Sequence, residues 1–186
     1  MLEILNNIDH ELFLFLNGLN NDFFDVIMQY ISGKLTWIPL YAFLLYLVIR
    51  KHKWKALWFV LFVIVLITIS DQTSLFFKHH FERLRPCHDP ELESMVHYFR
   101  CGGKYSFFSA HASNTFALAS FVFLSFRERK YLYLRIIFIV FASLNAYSRV
   151  YLGVHFPGDV LFGAFMGIII GSALGFLWLY TYKKLP

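Results

Sequence analysis

The sequence has little charge for its length. Charged residues make up 16% of the 186 residues and hydrophobic residues 58%, a balance that excludes an ordinary soluble domain and is typical of an integral membrane protein. The first 20 residues contain Glu3, Asp9 and Glu11 and have neither a basic start nor an uninterrupted apolar run, so they do not match a cleavable signal peptide. We therefore expect the apolar segments themselves to direct the chain to a membrane.

The net charge of +5 does not indicate nucleic-acid binding, because of where the basic residues lie. Ten of the 17 Lys and Arg residues fall within 50–55, 127–135 and 183–184, at the ends of apolar segments. Such a distribution is a signal of membrane topology. Nucleic acid is therefore not an expected partner, whereas the bilayer is, and the sequence indicates no oligomeric state.

The apolar segments predict an all-α, integral-membrane helical bundle. About five transmembrane helices are expected, over residues 35–49, 54–77, 107–126, 132–147 and 156–182. The first has only 15 residues, fewer than the roughly 20 that cross a core about 30 Å thick, so it must borrow from the preceding segment or thin the bilayer.

The N-terminal segment is amphipathic rather than continuously apolar. Residues 2–18 alternate apolar and polar groups at helical spacing, which predicts a helix lying on the membrane surface. Residues 23–31 predict a second short helix or the lead-in to the first span. We expect one membrane-embedded domain over 1–186, with interfacial helices over 1–32 and an outward loop over 83–106.

The basic clusters also predict orientation. Five crossings with every basic loop on the cytoplasmic side place the N-terminal helix, the 83–106 loop and the 149–155 turn on the other face. The expected location is the cell inner (plasma) membrane, multi-pass, with the candidate reactive residues on the periplasmic or extracellular face.

The only two cysteines, Cys87 and Cys101, both lie in the predicted outward loop. An oxidising compartment favours a disulfide between them. Two unpaired thiols are an alternative, and a zinc site with His88 or His97 is a third, although the spacing fits no common zinc pattern.

The last apolar segment carries Gly163, Gly167, Gly171 and Gly175 at a strict spacing of four. This spacing makes a flat stripe along one face of a helix, which predicts close approach of a neighbouring helix.

The stretch between the last two spans concentrates reactive groups. Pro157 suits the first turn of a helix, and the spacing of four puts His155 and Asp159 on one face. A carboxylate that accepts a hydrogen bond from one ring nitrogen leaves the other nitrogen basic, as in a nucleophile or base. Arg149 adds a fixed positive charge suited to a phosphate.

Two further clusters lie at the same predicted depth. Lys78 and Arg85 are separated by six residues and followed by Pro86, and Ser109-Ala110-His111 opens the third span. The order Lys-x6-Arg-Pro, Ser-x-His and Ser-Arg-x5-His-x3-Asp resembles the three-part signature of the type-2 phosphatidic acid phosphatase superfamily. This sequence departs from the usual Pro-Ser-Gly-His at Phe108 and Ala110, which affects the backbone shape of that loop.

The resemblance implies a metal-free phosphatase that works through a phosphohistidine. His155 would attack phosphorus with Asp159 orienting its ring, and His111 would protonate the leaving oxygen and then activate water. Three fixed cations without a carboxylate cluster for Mg²⁺ fit such a site, so no metal or cofactor is expected. The groups expected to hold the phosphate are Lys78, Arg85, Ser109, Ala110 and Arg149.

Simpler roles exist for several of these residues. Lys78 and Arg85 can serve as interfacial anchors, Ser109 as a helix N-cap, and His155 with Asp159 as a structural pair. Asp71, a carboxylate within the second span, is expected to support the site by neutralising or orienting Lys78 or Arg149; the alternative is a polar contact that only packs helices.

The expected substrate is a lipid phosphate or diphosphate at the outer leaflet, because a headgroup there can reach outward helix ends. Undecaprenyl diphosphate is the preferred substrate; phosphatidylglycerol phosphate, phosphatidic acid and lipid A phosphate are the alternatives. A vanadate-dependent haloperoxidase and an inactive lipid-binding protein are the other classes that the motifs allow.

Overall fold

The computed structural model describes residues 2–92 and 94–184, and regular structure in that part of the chain is helical apart from one isolated bridge between Leu84 and Tyr105. Short 3₁₀ turns connect several of the helices. The α-helices are α1 (Leu2–Asn17), α2 (Asp22–Ser32), α3 (Ile38–His52), α4 (Ala56–Phe81), α5 (Ala110–Ser125), α6 (Leu132–Tyr151) and α7 (Pro157–Tyr182).

Helix α1 is amphipathic, as predicted. Ile4, Ile8 and Phe15 are exposed on one side, whereas Phe13 and Asn17 are buried against the rest of the protein. Helix α2 begins at an N-cap, where the Asn21 side chain accepts a hydrogen bond from the Phe24 N–H at 3.0 Å.

Helices α3 to α7 form the bundle. By length and composition, three helical stretches in the described chain can cross a membrane: 35–81, 129–151 and 157–182. The first contains both α3 and α4, which reverse direction at Lys53, where φ is 53°, and line a common cleft. Helix α5 has 16 residues, about 24 Å of helix, and is largely buried at the centre. The predicted all-α integral-membrane bundle is confirmed.

The glycine stripe brings α7 against α5, as predicted. A Cβ atom on Gly163 would lie 2.6 Å from the Ser109 carbonyl oxygen, and Cβ atoms on Gly167 and Gly171 would overlap backbone atoms of α5. Real Cβ contacts do not occur at such distances, so only glycine permits this approach. The contact sets the N-terminus of α5 beside that of α7.

The basic turns meet at the opposite end of the bundle. Lys51, at the end of α3, contacts Glu128 at 2.7 Å and the Ser125 carbonyl oxygen at 2.8 Å, which joins the α3–α4 turn to the α5–α6 turn. The Lys55 ammonium lies 4.9 Å from the Tyr182 ring centroid, so the end of α7 is there too. The predicted clustering of the basic loops is present.

Candidate active site

The ends of α5, α6 and α7 converge on His155. The Ser109 N–H donates to the Asp159 carbonyl oxygen at 3.1 Å, and the His155 N–H donates to the Arg149 carbonyl oxygen at 3.3 Å. The first bond joins the second and third predicted motifs, and the second closes the turn within the third motif. His155 precedes Pro157, the first residue of α7, and is only 2% exposed.

Three cations lie within electrostatic reach of the His155 ring. Burial, reinforced by the charges of Arg85, Arg149 and Lys78, holds the pKa of His155 well below its usual value. The imidazole is therefore neutral at neutral pH, as a nucleophile must be. His111 lies within electrostatic reach of Arg149, His155 and Lys78. The structure thus brings together the residues that the motifs predicted.

Both arginines are held by neighbours. Arg85 Nη1 donates to the Cys101 carbonyl oxygen at 2.9 Å, and its Nε donates to the Tyr105 carbonyl oxygen at 3.3 Å. Arg149 Nη1 donates to the Ser32 hydroxyl, while its buried Nε has no partner in the described chain. A buried donor without a partner is costly, and an anion bound beside Arg149 would satisfy it.

The Ser109 loop ends in a helix N-terminus. Ser109 is fully buried and caps α5, its hydroxyl accepting from the Ala112 N–H at 3.4 Å. Ala110 is the first residue of α5, so its N–H is one of those that a helix leaves unpaired and available to an anion. Phe108 is buried against Phe77, and the peptide bond that precedes it is cis.

Asp159 has partners other than the expected one. Its Oδ2 lies 3.6 Å from His155 Nδ1, beyond hydrogen-bond distance, and this ring nitrogen makes no hydrogen bond in the described chain. The Asp159 carboxylate instead accepts from Arg83 Nη1 at 2.9 Å and from the Phe156 N–H at 3.0 Å. The expected hydrogen bond is therefore replaced by a longer contact, and Arg83 and the Phe156 N–H hold the carboxylate instead.

Asp71 makes the polar helix–helix contact that is the alternative to its predicted role. It accepts from the Asn114 amide at 2.7 Å and makes no ion pair in the described chain, while its charge lies within electrostatic reach of Lys78. Its side chain lines a cavity with His111. Two turns along α4 separate it from Lys78, too far for direct contact.

Sequence reasoning missed Arg83 and Asp9. Arg83 lies between two motif residues, and its Nη2 donates to Asp9 Oδ2 at 2.7 Å. The two residues are 74 positions apart, and no periodic pattern links a polar residue of an amphipathic helix to a distant loop. The only sequence signal for Arg83 was its position, two residues before Arg85, and Asp9 had none.

A disulfide joins Cys87 and Cys101, with Cα atoms 5.7 Å apart. The zinc alternative is thereby removed, since the two sulfurs are bonded to each other. In the described residues, no group of three or more His, Cys, Asp or Glu side chains is arranged to hold a metal ion. The site is instead rich in cations, which suits direct binding of a phosphate.

A family model and two related proteins place this chain in the family that its motifs resemble. The PAP2 superfamily model matches residues 56–184, which confirms the resemblance. A lipid A 4'-phosphatase of Bacteroides thetaiotaomicron is 39% identical, the alignment covering 100% of this chain and 81% of that protein. A lipid A 4'-phosphatase of Porphyromonas gingivalis is 38% identical, covering 98% of this chain and 78% of that protein.

Solved structures agree with this family. The crystal structure of Aquifex aeolicus LpxE has a TM-score of 0.69 and 28% identity, covering 88% of this chain and 92% of that one. A transmembrane PAP2 type phosphatidylglycerolphosphate phosphatase from Bacillus subtilis has a TM-score of 0.69 and 24% identity, covering 98% and 88%, and supports the fold alone. The chain belongs to the PAP2 superfamily and is an enzyme that hydrolyses lipid phosphates.

Proposed function

We propose that this lipid phosphatase removes the 4'-phosphate monoester of lipid A. The observation that carries the proposal is 39% identity along the whole chain to a protein with that activity in its name. Undecaprenyl diphosphate, the substrate preferred from the sequence, finds no such support, whereas lipid A phosphate was among the alternatives.

A cavity beside His111, lined by polar side chains, supports the proposal that the substrate has a sugar headgroup. It has a volume of about 330 Å³, and polar side chains from five helices and one connecting turn face it. Sugar hydroxyls need such donors and acceptors, whereas a prenyl diphosphate carries none beyond its phosphates. The polar residues that line it are Ser32, Lys34, Tyr41, Asp71, His111, Asn114, Thr115 and Asn145.

The polar cavity continues into an apolar cleft between α3, α4 and α5. Tyr41, Ile67, Asn114 and Thr115 line both spaces, and the cleft has a volume of about 340 Å³. A lipid whose phosphate reaches His111 would find a polar surface for its headgroup and an apolar surface for an acyl chain. This arrangement supports an acylated phosphosugar as the substrate.

In the first chemical step, His155 Nε2 attacks phosphorus and the bond from phosphorus to the sugar oxygen breaks. The negative charge of the bound phosphate favours the imidazolium form of His111. His111 then gives its proton to the leaving oxygen, which yields the sugar hydroxyl and a phosphohistidine. The charge that develops on the three phosphoryl oxygens is balanced by Lys78, Arg85 and Arg149, with the Ala110 N–H as a further donor.

In the second step, a water attacks the phosphohistidine. His111, now neutral, takes a proton from this water, and the phosphorus–nitrogen bond breaks to return a neutral His155. The products are the dephosphorylated lipid and inorganic phosphate. Asp159 stays paired with Arg83 throughout and acts by position.

We propose a multi-pass inner-membrane location with the site on the periplasmic face. The basic turns at the opposite end of the bundle and the disulfide beside the site both support this orientation. We also propose that residues 1–186 act as one domain, with 1–32 at the interface and 83–106 as the outward loop.

The test is a substrate panel with protein purified in detergent. Wild type should release one inorganic phosphate per bis-phosphorylated lipid A, and mass spectrometry of the product should place the loss at the 4' position. His155→Ala should abolish release. Faster turnover of undecaprenyl diphosphate than of lipid A, or loss of the 1-phosphate, would contradict the proposed substrate.

A variant of the polar cavity sharpens this test. Asp71→Ala should raise KM for lipid A by roughly 5-fold, the loss of about one hydrogen bond, because Asp71 faces the headgroup cavity. Its KM for dioctanoyl phosphatidic acid, which has no sugar, should stay at the wild-type value. An equal rise for both lipids would mean that Asp71 does not contact the headgroup.

A further inference from the structure

Arg83 bridges two carboxylates that come from opposite ends of the sequence. Its Nη2 lies 2.7 Å from Asp9 Oδ2, and its Nη1 lies 2.9 Å from Asp159 Oδ1. The side chain of Asp159 is 0% exposed, that of Asp9 14% and that of Arg83 24%. Ion pairs shielded to this degree are screened far less by solvent than surface pairs.

Asp9 also holds the first turn of α7. Its second oxygen, Oδ1, accepts a hydrogen bond from the Gly158 N–H at 2.7 Å. A carboxylate at a helix N-terminus is favourably placed toward the helix dipole. One side chain of α1 therefore fixes both Arg83 and the backbone three residues after His155.

Phe156, the residue next to His155, is enclosed by Arg83 and two side chains of α1. The Arg83 guanidinium carbon lies 4.0 Å from the Phe156 ring centroid, a cation–π distance. His10 stacks on the same ring at 4.7 Å, and Phe13 meets it edge-on at 5.3 Å. Helix α1 and Arg83 thus clamp Phe156, which fixes the direction of the chain leaving His155.

Loss of Arg83, or its displacement when Asp9 is lost, would be felt at His155 through Asp159. Asp159 is fully buried, and a buried carboxylate without its cation must become protonated or move. Its backbone carbonyl receives the Ser109 N–H, so movement of this turn would also disturb the start of α5. A displacement of about 1 Å at a reacting atom costs on the order of 100-fold in rate.

We propose that Asp9 and Arg83 are positioning residues for the reaction, so that α1 is part of the catalytic unit and not only a membrane anchor. They set the turn that carries His155 and hold the Asp159 carboxylate beside it. This inference rests on the proposed function in one respect, the role of His155 as the nucleophile.

The first experiment compares Asp9→Asn with Glu11→Gln, an exposed acidic residue of the same helix. The asparagine side chain keeps an oxygen for the Gly158 N–H but loses the charge that faces Arg83. We expect kcat to fall roughly 10-fold with KM within twofold of wild type, per folded protein measured by size exclusion. Arg83→Gln should lower kcat about 100-fold, and Arg83→Lys should recover part of that loss. Glu11→Gln should match wild type.

The second experiment uses Gly158→Ala to displace Asp9 without changing its charge. A Cβ atom on Gly158 would lie 2.8 Å from Asp9 Oδ2, the oxygen that contacts Arg83, so the carboxylate must leave its present position. Gly158→Ala should therefore reproduce the kcat loss of Asp9→Ala. In the double variant Asp9→Ala/Gly158→Ala, the new Cβ atom fills the space that the Asp9 carboxylate has left. Its kcat should therefore equal that of Asp9→Ala alone.

Wild-type kcat in Asp9→Asn and Gly158→Ala would overturn the inference, as would losses that simply multiply in the double variant. A rise in KM with unchanged kcat would also count against it, because positioning acts on the chemical step. Each variant is assayed on lipid A and on dioctanoyl phosphatidic acid. If wild type hydrolyses only the latter, the proposed substrate fails while the positioning roles are still decided on that lipid.

Discussion

Removing the disulfide should weaken substrate binding as well as stability. Cys87 and Cys101 close a loop with a sequence separation of 14, which in the chain-entropy model is worth about 3 kcal/mol. The same loop holds Arg85, whose Nη1 donates to the Cys101 carbonyl oxygen at 2.9 Å. In the loosened loop, Arg85 must be ordered when phosphate binds. If this ordering costs about 1.4 kcal/mol of binding free energy, phosphate affinity falls roughly tenfold.

The variant is Cys87→Ser/Cys101→Ser in detergent, compared with wild type before and after treatment with dithiothreitol. We expect a lower unfolding midpoint, a KM raised roughly tenfold and a kcat within about threefold of wild type. Reduced wild type should behave like the double variant, and the double variant should not respond to dithiothreitol. A lower midpoint with unchanged KM would refute the idea that the disulfide holds Arg85 for phosphate.

Three further predictions concern packing, protonation and metal. Gly171→Ala should destabilise the bundle by about 1–3 kcal/mol, because its Cβ would meet the α5 backbone, whereas Gly103→Ala, with nothing within 4 Å, should keep the wild-type midpoint. Since burial and nearby cations lower the pKa of His155, the neutral nucleophile should be lost only as pH falls below about 6.5. In Arg85→Gln, which removes one of those cations, the acid limb of kcat should move to higher pH, and an unmoved limb would contradict this assignment. EDTA should leave turnover unchanged and vanadate should inhibit it; loss of activity on chelation would contradict direct binding of phosphate by Lys78, Arg85 and Arg149.

Local sequence patterns were sufficient to predict the bundle and most of the site. Hydrophobic runs located α3 to α7, and the four-residue glycine period identified the face of α7 that packs on α5. Pro157 predicted a helix that begins near His155, and α7 begins two residues later, at Pro157 itself. The motif residues converge because the glycine contact places two helix N-termini side by side.

The partners of the buried carboxylates could not be predicted in the same way. Asp159 satisfied the spacing for a bond to His155, yet Arg83 and a backbone N–H compete for it at shorter distances. Asp71 lay on the expected face of α4, but Asn114 of the neighbouring helix reaches it first. Such choices depend on tertiary geometry between segments that lie far apart in the sequence, which no local period records.

The central claim is that His155 carries the phosphoryl group during turnover. The most direct measurement is rapid quench of the enzyme with lipid A labelled with ³²P at the 4' position, followed by mapping of the labelled peptide. The account predicts an acid-labile, base-stable label on the peptide that contains His155, absent in His155→Ala and longer-lived in His111→Ala. Turnover without label in the wild type, or label that persists in His155→Ala, would contradict it.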